Sequence, residues 1–196
     1  MSYLKIGPLA RLPWGALAPW LALFAACAFF ASQSDRFLSG ENLSLVLQQI
    51  MVVGVLAIGQ SLIVLTAGID LSCGMVMALG SMVMTKLAVE EGLHPLLAVF
   101  CGLAVTCGFG LLNGLLVTRA KLPAFIVTLG TMNIAFAVTQ LYSSSQTVQN
   151  LSESLTAIGN TFALGGTQIS WGTVLMVILY VIAWRMLNDT APGRHI

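Results

Sequence analysis

Three observations in this sequence predict an all-α, polytopic membrane fold of about six transmembrane helices. First, 58% of its 196 residues are hydrophobic and only 8% are charged, with a mean hydropathy of +0.94; a soluble chain carries about a quarter of its residues as charges. Second, several runs reach the roughly 20 apolar residues that a bilayer core requires. Third, the few cations gather in alternate loops. Eight Lys and Arg face seven Asp and Glu, a net charge of +1, so nucleic acid is excluded as a partner on electrostatic grounds.

Taken in order, the first span, Leu12–Ala31, follows Lys5 and Arg11. A cleaved signal peptide is the alternative there, disfavoured because the run is long and further spans follow at once. The second span, Leu43–Leu65, carries Gln48, Gln49 and Gln60. Gln49 and Gln60 lie close to three helical turns apart and so share a face. The third span is Leu71–Val89, and the loop before it is short, with one charge, Asp70. A broken or re-entrant helix near residues 66–75 is therefore the alternative to two complete crossings.

The fourth span, Pro95–Val117, contains Asn113 and a crowd of glycines, of which Gly110-x-x-x-Gly114 predicts close backbone approach. The turn Lys121–Phe125 then delivers the fifth span, Ala124–Tyr142, whose entry suits Pro123 because a first-turn N–H is not needed by the helix. Thr128, Asn133 and Gln140 lie along that span. The loop Ser143–Gln168 has no Lys or Arg and is rich in Ser, Thr, Asn and Gln, a binding surface or solvated slack. The sixth span is Ile169–Leu187.

With the amino terminus counted as cytoplasmic, the inner segments hold Lys5, Arg11, Arg119, Lys121, Arg185 and Arg194, and the outer ones only Arg36 and Lys86. That positive-inside bias places both termini in the cytoplasm. The four cysteines form no C-x-x-C, and His94 and His195 share no ligand spacing, so core-filling thiols are expected rather than a metal site. No nucleophile–base constellation is evident, and no enzymatic activity is expected.

The most informative stretch is T-A-G-I-D-L-S-C-G-M (66–75). A carboxylate at the centre of a lipid-facing helix costs roughly 2.5–3.5 kcal/mol, so Asp70 is expected in protein, in water or at a helix end. Gly68 and Gly74 on either side let the backbone break. The amides within the spans are expected to face the bundle interior. Singly each reads as interhelical glue; as a set they read as a polar pathway for a hydroxyl-rich solute.

The segments T-A-G-I-D-L-S-C-G-M-V-M-A-L-G (66–80), L-L-N-G-L-L-V (111–117) and L-P-A-F-I-V-T-L-G-T-M (122–132), in that order, resemble the membrane permease of bacterial ABC sugar importers. The likeness is to the ribose/xylose/galactose branch and runs from about Asn42 to the end. V-L-Q-Q (46–49) and L-Y-S-S-S-Q-T-V (141–148) look most like fructose-type members. Cys73 stands where that family usually has Val, and Ala124 where it commonly has a second Pro. T-A-P-G-R-H-I (190–196) resembles the start of the T-x-x-G-R motif that opens the loop contacting the ATPase. The resemblance thus implies one transmembrane permease domain over 1–196, truncated before that loop is complete.

It further implies a bacterial inner-membrane importer with divided labour. A periplasmic binding protein delivers a monosaccharide, two permease subunits (identical or different) form the pathway in the lipid bilayer, and separate ABC ATPase subunits drive it. No cofactor and no bond chemistry are expected of this chain. Gln49, Gln60, Gly68, Asp70, Ser72, Gly74, Asn113, Thr128 and Asn133 are the expected pathway or hinge residues, and Thr190, Gly193 and Arg194 the ATPase-coupling ones. Asp70 is expected to cap the following helix near its dipole rather than to touch sugar. Two other readings are a branched-chain amino-acid permease, which is a related group, and a small stand-alone channel or scaffold.

Overall fold

The computed structural model describes residues 14–196, so Lys5, Arg11 and the first two residues of the first predicted span lie outside the described residues. Each predicted span is a helix: α1 (Trp14–Gln33), α2 (Gly40–Leu65), α3 (Cys73–Val89), α4 (Pro95–Thr118), α5 (Ala124–Ser143) and, after a structured loop, α7 (Trp171–Asp189). Among the described residues α2, α4, α5 and α7 are long and apolar enough to cross a membrane. At 17 residues, α3 is only about 26 Å long, short of the roughly 30 Å hydrocarbon core. The non-helical segment 66–72 separates it from α2.

The helices form two packed groups. In the first, α3 lies against α4 and α5, around a core of Val76, Leu79 and Ala135 flanked by Val83, Val105 and Phe109. Close approach there is made by Gly80 and Gly102: a Cβ built on Gly102 meets the Gly80 carbonyl oxygen at 2.6 Å and Met84 Cβ at 3.1 Å. The expected Gly110–Gly114 contact is not the tight one, since a Cβ on either meets nothing within 4 Å. A small-residue motif marks where close packing is allowed, and the neighbour's own small residue decides where it occurs. At one end, Lys86 Nζ donates to the Tyr142 carbonyl at 2.8 Å and pairs with Glu90 at 3.0 Å, tying α3 to α5.

In the second group, α2 packs against α7 and a β-hairpin. The loop expected over Ser143–Gln168 is not slack. It contains a short helix, α6 (Glu153–Thr156), a 3-10 turn (Ala157–Gly159), and strands β1 (Thr161–Leu164) and β2 (Thr167–Ser170), paired antiparallel. Gly165 and Gly166 both take positive φ (57° and 85°), the two-residue turn whose twist matches a hairpin. The hairpin docks on the start of α2, where Ser44 Oγ donates to the Gln168 carbonyl. Ile169 and Ser170, expected at the start of the sixth span, belong to β2 instead. Ser170 Oγ accepts from the Thr173 N–H at 3.2 Å and so caps α7.

The break between α2 and α3 is made differently from expectation. Gly68 N–H donates to the Ile63 carbonyl and Ala67 N–H to the Val64 carbonyl, each at 2.9 Å. These two bonds close a Schellman motif, which satisfies the carbonyls left free at the helix end. Its left-handed position is filled by Ala67 (φ 58°), not by either glycine. Gly74 lies inside α3 with no neighbour near a built Cβ. A left-handed non-glycine residue costs roughly 1–2 kcal/mol. Ala67→Gly is therefore expected to stabilise the protein by about 1 kcal/mol, read as a raised melting temperature in detergent; an unchanged or lowered value would contradict the turn.

Candidate functional site: a polar cluster at the helix break

At the entry of α3 the chain must place Asp70 beside apolar helices, and it does so by satisfying the carboxylate locally. Asp70 Oδ1 accepts from both the Ser72 N–H and the Ser72 Oγ–H, each at 2.7 Å. This is an Asx-turn over the first turn of α3, at the positive end of the helix dipole. The acceptor sits two residues before the N-cap position, which Ser72 itself occupies without a side-chain cap bond.

Ser72 is 1% exposed and Asn113 7%, and Asn113 Nδ2 donates to Ser72 Oγ at 3.0 Å across from α4. Asn113–Ser72–Asp70 is thus a directed chain, because the Ser72 hydroxyl proton is already committed to Asp70. From α2, Gln60 Nε2 donates to the Asp70 carbonyl at 2.6 Å, a polar tie between the two helix groups. Thr128, 3% exposed on α5, makes its main bond to the Ala124 carbonyl at 2.8 Å and reaches the Ile69 carbonyl at 3.4 Å. Two buried acceptors in this cluster have no partner among the described residues: Asn113 Oδ1 and Gln60 Oε1.

Gln60, Asp70, Ser72, Asn113 and Thr128 are brought together; others are not. Gln49 is exposed on α2, because α2 meets α3 only near the Gln60 end. Asn133 is also exposed and bonds back to the Leu129 carbonyl of its own helix at 2.8 Å. Gly68 serves the Schellman turn, and a Cβ there would press on Ile63. Far from the cluster, Thr190 Oγ1 accepts from the Gly193 N–H at 3.2 Å and caps a short α8 (Ala191–His195). Gly193 is buried so closely that an added Cβ meets Leu187 Cα at 2.6 Å.

Asp70, Ser72 and Asn113 of the cluster line a cavity of about 670 Å³. Its walls are α3 from Cys73 to Thr85 and α4 from Val99 to Asn113, with Val55 and Leu56 of α2 opposite. Leu151, Leu155 and Ile158, from the segment after α5, also line it. The stretch from Val99 to Asn113 spans about 21 Å. Sequence reasoning found Asp70, Ser72 and Asn113 but missed the cavity and the contribution of the loop. Among the described residues no group of three or more His, Cys, Asp or Glu is placed to hold a metal ion.

Residues 42–196 match the family model described as the branched-chain amino acid transport system / permease component. The fructose import permease protein FrcC of Rhizobium meliloti is 41% identical over 174 residues, 86% of this chain and 48% of its own length. The ribose import permease protein RbsC of Bacillus subtilis is 33% identical over 181 residues, 91% of this chain and 55% of its own. The D-allose transport system permease protein AlsC of Escherichia coli is 32% identical over 185 residues, 93% of this chain and 56% of its own. The chain thus spans about half the length of the curated relatives it matches. No solved structure matches it. The ordered motifs, the apolar helices and a family match over residues 42–196 together make this chain a multi-pass membrane protein of the branched-chain amino acid transport system permease family.

Proposed function

We propose that this chain is a permease subunit, or the amino-terminal part of one, of an ATP-driven sugar importer in a bacterial inner membrane. The observation that carries the reading is the alignment, along 86–93% of this chain, with permeases named for import of fructose, ribose and D-allose. Those names favour sugar over the branched-chain amino acids of the family's description. The polar cluster at the break of α3 and the cavity it lines suit passage of a neutral, hydroxyl-bearing solute. The chain itself performs no bond chemistry in this reading; separate ATPase subunits supply the energy. The amino terminus is cytoplasmic, as Arg119, Lys121 and Arg185 favour.

Partners follow from that division of labour: a periplasmic sugar-binding protein, a second permease subunit and two ATPases. Thr190, Gly193 and Arg194 are the ATPase-coupling residues of this proposal. α8 is held against the end of α7 by Gly193, and Thr190 Oγ1 also donates to the Met186 carbonyl at 2.6 Å. Gly193→Ala is expected to push α8 away from Leu187 and to uncouple ATP hydrolysis from uptake while leaving membrane insertion intact. Unchanged uptake per ATP hydrolysed would contradict the coupling role. The complex itself is tested by native mass spectrometry after gentle extraction from the source membranes. ATPase subunits bound to the chain are expected; a chain without any partner would overturn the proposal.

A further inference from the structure

The segment between α5 and the hairpin lays an apolar edge on the cavity. Leu151, Leu155 and Ile158 line it, whereas Ser152, Glu153, Ser154 and Thr156 do not. Spacings of four and three residues are those of one helical face, and α6 with the 3-10 turn after it supplies the helical stretch. The chain enters this segment at a definite end of the cavity. Lys86 Nζ bonds the Tyr142 carbonyl, so the carboxyl-terminal ends of α3 and α5 lie together. Thr85 therefore marks that end of the α3 wall, and Cys73 lies about 18 Å away along the helix. With the amino terminus cytoplasmic, as proposed above, the Thr85 end faces outward.

The segment is anchored at its rear only. The Asn160 carbonyl accepts from the Trp171 N–H at 3.1 Å, and a Cβ on Gly172 would lie 3.3 Å from the Ile158 carbonyl oxygen. Both contacts hold the rear against the start of α7. Ahead of them, among the described residues, every hydrogen bond of residues 147–157 closes within 152–160. Leu151 is 38% exposed and Ile158 56%, so partly buried apolar side chains alone rest the segment on the cavity. Asn150 turns the chain left-handed directly before Leu151, at φ 59°. The hairpin, by contrast, is tied to α2 through Ser44 and the Gln168 carbonyl. Segments with few buried apolar contacts and few bonds to their surroundings are the ones that open locally.

We propose that residues 151–157 are a lid on the outer end of the cavity, swinging on the anchor at α7 to admit solute. Leu151 and Leu155 are its closing contacts. The proposal rests on the importer reading and deepens it by naming the element that gates entry.

Access from outside tests the lid. In the chain carrying Cys27→Ser, Cys73→Ser, Cys101→Ser and Cys107→Ser, Thr85→Cys supplies one thiol on the cavity wall. Its alkylation by a membrane-impermeant maleimide is timed in right-side-out vesicles from the source cells. Labelling tracks the open population when closing outpaces alkylation. Leu155→Ser is expected to raise the rate about tenfold by removing an apolar closing contact. Ser154→Ala, which does not touch the cavity, is expected to leave it unchanged. Equal rates for Leu155→Ser and its parent overturn the lid. A second arm does not depend on that variant: Leu155→Cys and Thr85→Cys together are bridged by a reducible bis-methanethiosulfonate, and uptake of labelled fructose, ribose and leucine is measured. Bridging is expected to abolish uptake and reduction to restore it; full uptake with the bridge in place overturns the lid. The unbridged chain judges the sugar reading separately. Entry of leucine without either sugar overturns that reading, while the bridge still reports on the lid.

Discussion

Asp70→Leu is expected to abolish transport, while Asp70→Asn keeps much of it. Leucine leaves the Ser72 N–H and Oγ–H without their acceptor in a residue that is 1% exposed. Each stranded buried donor costs about 1–3 kcal/mol, and two of them approach the 5–15 kcal/mol that separates folded from unfolded for typical domains. The Ser72 hydroxyl would then turn elsewhere, and Asn113 would lose its fixed orientation. Asparagine retains an Oδ1 acceptor at the same place, so the Asx-turn survives with weaker, uncharged bonds. Uptake normalised to the amount of each variant in the membrane checks this. Equal and full transport by both variants would remove Asp70 from the account.

Gly102→Val is the second large effect. The built Cβ lies 2.6 Å from the Gly80 carbonyl oxygen, and a backbone atom cannot swing aside as a flexible side chain does. Overpacking typically costs 1–3 kcal/mol, and here it separates α3 from α4 along the wall of the cavity. Gly110→Ala, on the same helix with open space around it, is the control and is expected to be nearly neutral. Thermal unfolding of the two variants in the same detergent checks the contrast. Equal melting temperatures would show that α3 and α4 do not cross at Gly80 and Gly102.

Much of the architecture was legible because apolar runs and turn residues mark membrane helices directly. The span Pro95–Val117 and the helix Pro95–Thr118 differ by one residue at one end. Less legible was anything set by partners rather than by period. Gln49 and Gln60 share a helical stripe, yet only Gln60 finds a neighbour, since helical spacing says nothing of where the next helix lies. The glycines Gly68 and Gly74 mark the region near residues 66–75 as one where the backbone can break, yet the left-handed position that ends α2 is held by Ala67. The hairpin had a readable signal in L-G-G-T (164–167), two glycines between short alternating runs, which was overlooked beneath the polar composition of the loop. At the site, Asp70 and Asn113 stand out as polar groups among apolar spans, and Ser72 enters with the permease resemblance. That Asn113 carries a bare acceptor follows only from the chain of bond directions, which no sequence pattern encodes.

The reading of this chain as a sugar permease is tested most directly by uptake in the source cells. Labelled fructose, ribose and leucine are compared in the parent, in a strain lacking the gene, and in that strain supplied with the wild-type gene or with the Asp70→Leu variant. The account predicts that deletion removes uptake of a sugar and leaves leucine untouched, and that the wild-type gene restores it while Asp70→Leu does not. Loss of leucine uptake with sugar uptake intact would contradict it.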